Sequence, residues 1–128
     1  MKWLLSALGV VLIVAGSALA AYIQTADGVR VEDIRFAGTG GTQMSALLYV
    51  PANATAQTPA PGVLAVHGLI NSREMQDGFA IEFARRGYVV LALDQTGHGY
   101  SAPPAFANKW GGPDGLKYLR SLPFVDKN

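Results

Sequence analysis

The two histidines of this chain, His67 and His98, each follow an apolar run. The first closes Val63-Leu64-Ala65-Val66-His67-Gly68-Leu69. The second lies in Asp94-Gln95-Thr96-Gly97-His98-Gly99-Tyr100-Ser101, directly after Val89-Val90-Leu91-Ala92-Leu93. With Ser45, Ser72 and Ser101 these supply the residue types of nucleophilic acyl chemistry: a hydroxyl, an imidazole to take its proton, and a carboxylate to orient the imidazole. The positions argue against assembling them here. An activated serine sits on a sharp strand-to-helix elbow, usually Gly-x-Ser-x-Gly, and no such motif occurs in the 128 residues. Ser45 begins a strand, Ser72 stands beside a helix start where serine is a common cap, and Ser101 falls in a loop. Each is expected to be structural. His67 and His98 have neither the helical nor the hairpin spacing of metal ligands, so no metal is expected.

The elements that must position these residues are legible in the pattern. Residues 63–66 form a short, continuous apolar run, as a strand buried on both faces should. Residues 88–93 repeat that pattern. Between them, Asn71-x-x-Glu74 suggests a capping box, and Met75, Phe79, Ala80, Phe83 and Ala84 fall on one helical face. Gly78 blurs where that helix begins, whereas Arg85, Arg86 and Gly87 suit its end. Residues 63–93 therefore predict a strand–helix–strand unit with parallel strands and a right-handed crossover.

Upstream, apolar residues at 29, 31, 34 and 36 predict a strand with one break in alternation, read as a bulge. Gly38-Thr39-Gly40-Gly41 is a turn, and 45–50 is a second strand stopped by Pro51, giving an antiparallel hairpin. Residues 52–61 read as a surface loop, and so do 95–112. Pro113 and Asp114 can open a helix over 113–122, with Leu116, Leu119 and Leu122 on its buried side.

Residues 3–22 carry no charge. Twenty residues at about 1.5 Å each span about 30 Å, the thickness of a bilayer's hydrocarbon core. Trp3 and Tyr22 bracket the run as interfacial aromatics do. The competing reading is a cleavable signal peptide, with Lys2, the apolar stretch 4–14 and Ala18-Leu19-Ala20 as its parts. Either reading puts the remainder outside the cytoplasm, so the chain divides into an anchor or signal peptide, 1–23, and a domain, 24–128. Half of the residues are hydrophobic and 15% are charged, which excludes a disordered chain. The formal charge of +1, without a basic run, argues against nucleic acid as a partner. The absence of cysteine excludes a disulfide framework and a thiolate metal site.

The two strand-end motifs, together with residues 115–126, resemble the N-terminal part of an α/β-hydrolase, in the group of dienelactone hydrolase and acyl-peptidase-like esterases. The resemblance covers roughly residues 29–128 and is specific at 67–69, 84–101 and 116–126. It implies an α/β class: a partial hydrolase fold of hairpin, strand–helix–strand unit and one further helix, preceded by the hydrophobic helix. The expected sheet order is 1-2-4-3. It also implies that the Leu69 backbone N–H donates to an oxyanion, with His67 and Gly68 shaping the loop and Gly68 allowing a sharp turn. Asp94, Gly97, His98, Gly99 and Ser101 are implied to form the wall and scaffold of the site. The nucleophile, the acid and the catalytic histidine are implied to lie beyond this chain, which alone is expected to be inactive. No cofactor is expected, and the substrate class implied for a complete enzyme is a small ester or acyl compound. A non-catalytic, membrane-anchored binding or structural module remains the alternative.

Overall fold

The structure is a computed structural model, and it describes residues 2–25 and 28–127. An apolar helix, α1 (Lys2–Thr25), is followed by β1 (Arg30–Ala37), β2 (Gln43–Val50), β3 (Gly62–Val66), α2 (Asp77–Arg85), β4 (Val89–Asp94) and α3 (Gly112–Ser121). The four strands form one sheet in the order β1-β2-β4-β3. β1 and β2 are antiparallel, β2 and β4 are antiparallel, and β3 runs parallel to β4. This is the expected partial hydrolase sheet. The expected bulge in the first strand is absent: pairing runs unbroken from Arg30↔Val50 to Ala37↔Gln43. Its apparent break in alternation comes from Glu32, which keeps its place on the half-buried face with Ile34 and Phe36.

The sheet is covered on both faces, and β4 shows why. All six of its residues are buried. Val89, Leu91 and Leu93 point into a cluster with Met44, Leu48 and Leu119 of α3, while Val90 and Ala92 point into a second cluster with Tyr49 and with Ala80 and Ala84 of α2. The two-residue period of a strand thus divides one apolar run between two cores. Gly115 lets α3 lie close on the sheet, because a Cβ there would stand 3.0 Å from Leu93 Cδ2 and 3.1 Å from Leu64 Cδ1.

Several expected details are corrected. β3 stands at the edge, as the expected order has it, but is only half-buried instead of buried on both faces, with Val66 46% exposed. Just ahead of β3, Ala60 makes one parallel bridge to Val125, supported by Asp126 N–H to Ala60 O at 2.8 Å. The Asn71–Glu74 capping box does not form. Residues Arg73–Gln76 make a 3-10 turn and α2 begins only at Asp77. Ser72 Oγ donates to the Glu74 carboxylate instead of capping backbone N–H groups. The helix also buries only part of the expected stripe. Ala80 and Ala84 pack on the sheet, whereas Met75, Phe79 and Phe83 are exposed. Small residues let the helix approach β4 closely, and the Tyr49 hydroxyl, donating to Asp77, fixes its rotation. On α3, Leu119 is buried and Leu116 is exposed beside the open flank of β3.

The end of α2 follows the expected pattern. Gly87 takes a left-handed φ of +92°. Its N–H reaches Ala84 O at 2.9 Å and the Tyr88 N–H reaches Phe83 O at 3.1 Å. Phe83 and Tyr88 meet edge to face with centroids 5.8 Å apart, the apolar contact that accompanies this C-terminal motif.

Candidate active-site loops

The loops after β3 and β4 leave the same edge of the sheet, the C-terminal edge of its parallel strands, where ligands bind in open α/β sheets. His67, Gly68, Leu69, Asp94, Gly97, His98, Gly99 and Ser101 all lie in these two loops or at the strand end that leads into them. The structure brings them together mainly through hydrogen bonds that tie one loop to the other.

His67 is buried and is the first tie. Its Nε2 accepts the Gln95 N–H at 3.1 Å, so the neutral ring carries its proton on Nδ1, which donates to Gly68 O at 2.7 Å. The Gln95 side-chain amide returns the contact by donating to His67 O. His98 is the second tie. Its Nδ1 faces Thr96 O at 3.1 Å and its Nε2 faces Leu69 O. The two rings stand 5.2 Å apart, yet every ring nitrogen is engaged by a protein atom, which leaves none directed at a metal or a serine. Among the described residues no cluster of three or more metal-binding side chains occurs.

The arrangement leaves the Leu69 N–H without an acceptor among the described residues, although the Leu69 carbonyl is held by His98. Leu69 and Ile70 are exposed. Gly68 has no left-handed φ, and a Cβ there would meet only Asn71 Nδ2, at 3.5 Å. The sharp turn expected to require glycine at 68 therefore has no steric basis here.

Asp94 is fully buried and organises the second loop. Its carboxylate accepts Ser45 Oγ–H at 3.0 Å, the Arg73 N–H at 2.9 Å and the Tyr100 N–H at 3.0 Å. Gly99 passes so close that a Cβ would stand 2.2 Å from Asp94 Oδ1. Gly97, at φ +77°, has the same constraint against the Ala105 backbone at 2.6 Å. Ser101 Oγ donates to Asp94 O at 2.7 Å and accepts the Ser45 N–H at 2.9 Å. A hydroxyl whose proton lies on a main-chain carbonyl has no base to activate it. Ser45 is also occupied, its Oγ donating to the Asp94 carboxylate at 3.0 Å and accepting from Arg73 at 2.9 Å.

Arg73 is the residue that sequence reasoning missed. It is 3% exposed. One terminal nitrogen donates to Asp33 at 2.6 Å, Ser45 Oγ at 2.9 Å and Ala46 O at 3.0 Å, and Nε lies 3.0 Å from Glu74 and 3.6 Å from Asp94. The Tyr100 ring lies over its guanidinium at 5.1 Å. Burial works against this charge, but the hydrogen bonds to Asp33 and Glu74 and the charges of Asp33 and Asp94 outweigh it, holding the guanidinium above the ordinary arginine value. The hydrogen bonds from Arg73 and then Arg35 bring the Asp33 carboxyl down to about 2. In the sequence, Arg73 reads as one polar residue between a loop and a helix. Only the tertiary approach of β1, β2 and β4 marks it.

The rim of the site is aromatic. His98 lies 5.8 Å from Trp110, whose ring meets Phe106 edge-on at 4.2 Å. Trp110 belongs to an unusual turn in which Asn108, Lys109, Trp110 and Gly111 all adopt left-handed φ/ψ. Non-glycine residues cost about 1–2 kcal/mol each in that region. The turn is held by Thr96 N–H to Trp110 O at 3.2 Å, Thr96 Oγ–H to Ala107 O at 2.9 Å, and the Asn108 amide to Thr39 O at 3.1 Å and Asp114 at 3.2 Å.

Known proteins share the fold. A family model described as serine aminopeptidase, S33, matches residues 57–116, which contain both loops. A search of curated proteins gave no match. Among solved structures, a hypothetical protein from Pseudomonas aeruginosa is 26% identical with a TM-score of 0.68, over 79% of this chain and 33% of its own. A bacterial heroin esterase is 22% identical with a TM-score of 0.61, over 88% of this chain and 38% of its own. An esterase from Pyrococcus furiosus is 19% identical with a TM-score of 0.59, over 76% and 37%. The chain thus spans little more than a third of the length of these structures. The family match across both loops and the likeness to these structures agree with the sheet order and the loop geometry: the chain has a partial α/β-hydrolase fold.

Proposed function

We propose that this chain supplies the oxyanion loop and the scaffold of a serine hydrolase acting on small esters or acyl compounds. The observation that carries the reading is the Leu69 N–H. It lies at the C-terminal edge of the parallel strands, its loop is pinned by His67 and His98, and it has no acceptor among the described residues. A preorganised, unused backbone donor at that edge is what stabilises the oxyanion of acyl transfer. His67 and Gly68 lead into it. Asp94, Gly97, His98, Gly99 and Ser101 serve as wall and scaffold, because each is held by, or packed tightly against, the main chain or a neighbouring side chain. The serine, acid and histidine of the triad then come from outside residues 1–128. α1 serves as membrane anchor or signal peptide, its segment Lys2–Ile23 being long and apolar enough to span a bilayer, so the domain works outside the cytoplasm.

The test begins with the coding DNA beyond Asn128. An apolar strand leading to Gly-x-Ser-x-Gly is expected within about 20 residues. In the complete protein, Leu69→Pro removes the donor N–H and should lower kcat on a p-nitrophenyl ester by about 10²–10³-fold, with Leu69→Ala close to wild type. The 128-residue chain should show no turnover. A stop codon at that point, or turnover by the short chain that Ser101→Ala abolishes, would refute the reading, and the stop codon would favour a binding module.

A further inference from the structure

Met75, Phe79 and Phe83 recur every four residues and form an exposed apolar stripe along and just ahead of α2. Beside it lies a shallow cleft of about 460 Å³ lined by Gly78, Phe79, Glu82, Phe83 and Arg86. Three features of the chain say what covers this face. The first is the route of the backbone. Thr25 ends α1 and Gly28 follows three steps later, a reach of about 11 Å at 3.8 Å per step. Next, Val29 packs into the same cluster as Ala80 and Ala84, so the chain enters the domain on the α2 side of the sheet. Finally, the Arg85 guanidinium donates to Ile23 O, which ties α2 to the end of the apolar helix. The charges beside the phenyl rings are already matched: Glu82 pairs with Arg85 at 2.8 Å and with Arg86 at 2.7 Å.

We infer that the α2 face formed by Met75, Phe79 and Phe83 rests on the lipid bilayer that α1 spans, with Arg86 at the level of the lipid phosphates. The inference rests on α1 being a retained membrane anchor. With Gly28 within about 11 Å of the end of α1 and Arg85 bonded to Ile23 O, α2 meets lipid at a very high local concentration, so a small apolar face is enough to hold it there. The site loops, at the far ends of β3 and β4 from the point of chain entry, stay clear of the tether.

The full 128-residue chain has no cysteine, so single cysteines report unambiguously. Gly78→Cys places a label in the cleft without displacing anything, since no atom lies within 4 Å of its Cβ position. Leu8→Cys reports on α1, and Lys117→Cys reports on the opposite face of the sheet. Each is labelled with an environment-sensitive fluorophore and reconstituted into phosphatidylcholine–phosphatidylglycerol vesicles carrying nitroxide lipids. An apolar face sinks about 5–10 Å into the headgroup region, so the label at 78 should be quenched roughly twofold or more, as at 8, and the label at 117 should not be. Met75→Ser with Phe79→Ser should relieve quenching at 78 and leave 8 unchanged. Quenching at 8 without quenching at 78 overturns the docking and spares the anchor. Equal quenching at 78 and 117 overturns a preferred face. No quenching at 8 overturns the anchor and the docking with it.

Discussion

Arg73→Met tests whether one buried cation holds the two site loops to the hairpin. The substitution is of similar length and apolar, so packing is largely kept while the charge and donors go. Two buried acceptors, Ser45 Oγ and Ala46 O, lose their shared donor, and the fully buried Asp94 carboxylate loses its nearest positive group at 3.6 Å. Asp94 keeps three hydrogen bonds, from Ser45 Oγ–H and the Arg73 and Tyr100 N–H groups, which limits the damage. Breaking one side of a buried ion pair costs about 3–5 kcal/mol. At about 4–8 °C per kcal/mol for a domain of this size, Tm should fall by at least 12 °C. The assay is near-UV circular dichroism of the full chain in mild detergent, where α1 contributes little. Arg73→Lys should lie between the two, because it keeps the charge and loses the fork. Asp94→Asn in the Arg73→Met background should cost less than Asp94→Asn alone. A loss below about 1 kcal/mol for Arg73→Met, or strict additivity in the double mutant, would refute the account, since surface substitutions alone reach about 0.5 kcal/mol.

Gly99→Ala should destabilise by at least 2 kcal/mol, because the methyl group would meet Asp94 Oδ1 at 2.2 Å and φ is +51°; denaturant melts that match wild type would contradict this. The Asp33 carboxyl, lowered to about 2 by Arg73 and Arg35, contributes stability that is complete above the unfolded value of about 3.9 and is lost as pH falls through 2. Melting between pH 5 and 2 should therefore drop more steeply in wild type than in Asp33→Asn, and parallel curves would argue against that linkage. The open, apolar edge of β3 should promote association of chains, and Val66→Lys should shift size-exclusion profiles toward monomer without changing the circular dichroism. An unchanged profile would place the association elsewhere.

Local chemistry was enough for the order of elements. The apolar runs at 63–66 and 88–93, the glycine at 87 and the proline at 113 act within a few residues, so strand, helix, cap and parallel pairing were legible, and with them the neighbourhood of His67 and His98. Tertiary structure decided what lies against what. Periodicity put Phe79 and Phe83 on the buried face of α2, but the helix seats its alanines on the sheet, because close approach is governed by small side chains rather than apolar ones. The apolar run of β3 reads as a strand buried on both faces, yet it is half-exposed at the sheet edge that the expected order gave it, since a run of valines and alanines carries no record of what covers it. Arg73 carries no local signal either. Its importance arises only where Asp33, Ser45 and Asp94, from three strands far apart in the chain, converge on one guanidinium, and the energy of a buried charge depends on that convergence alone.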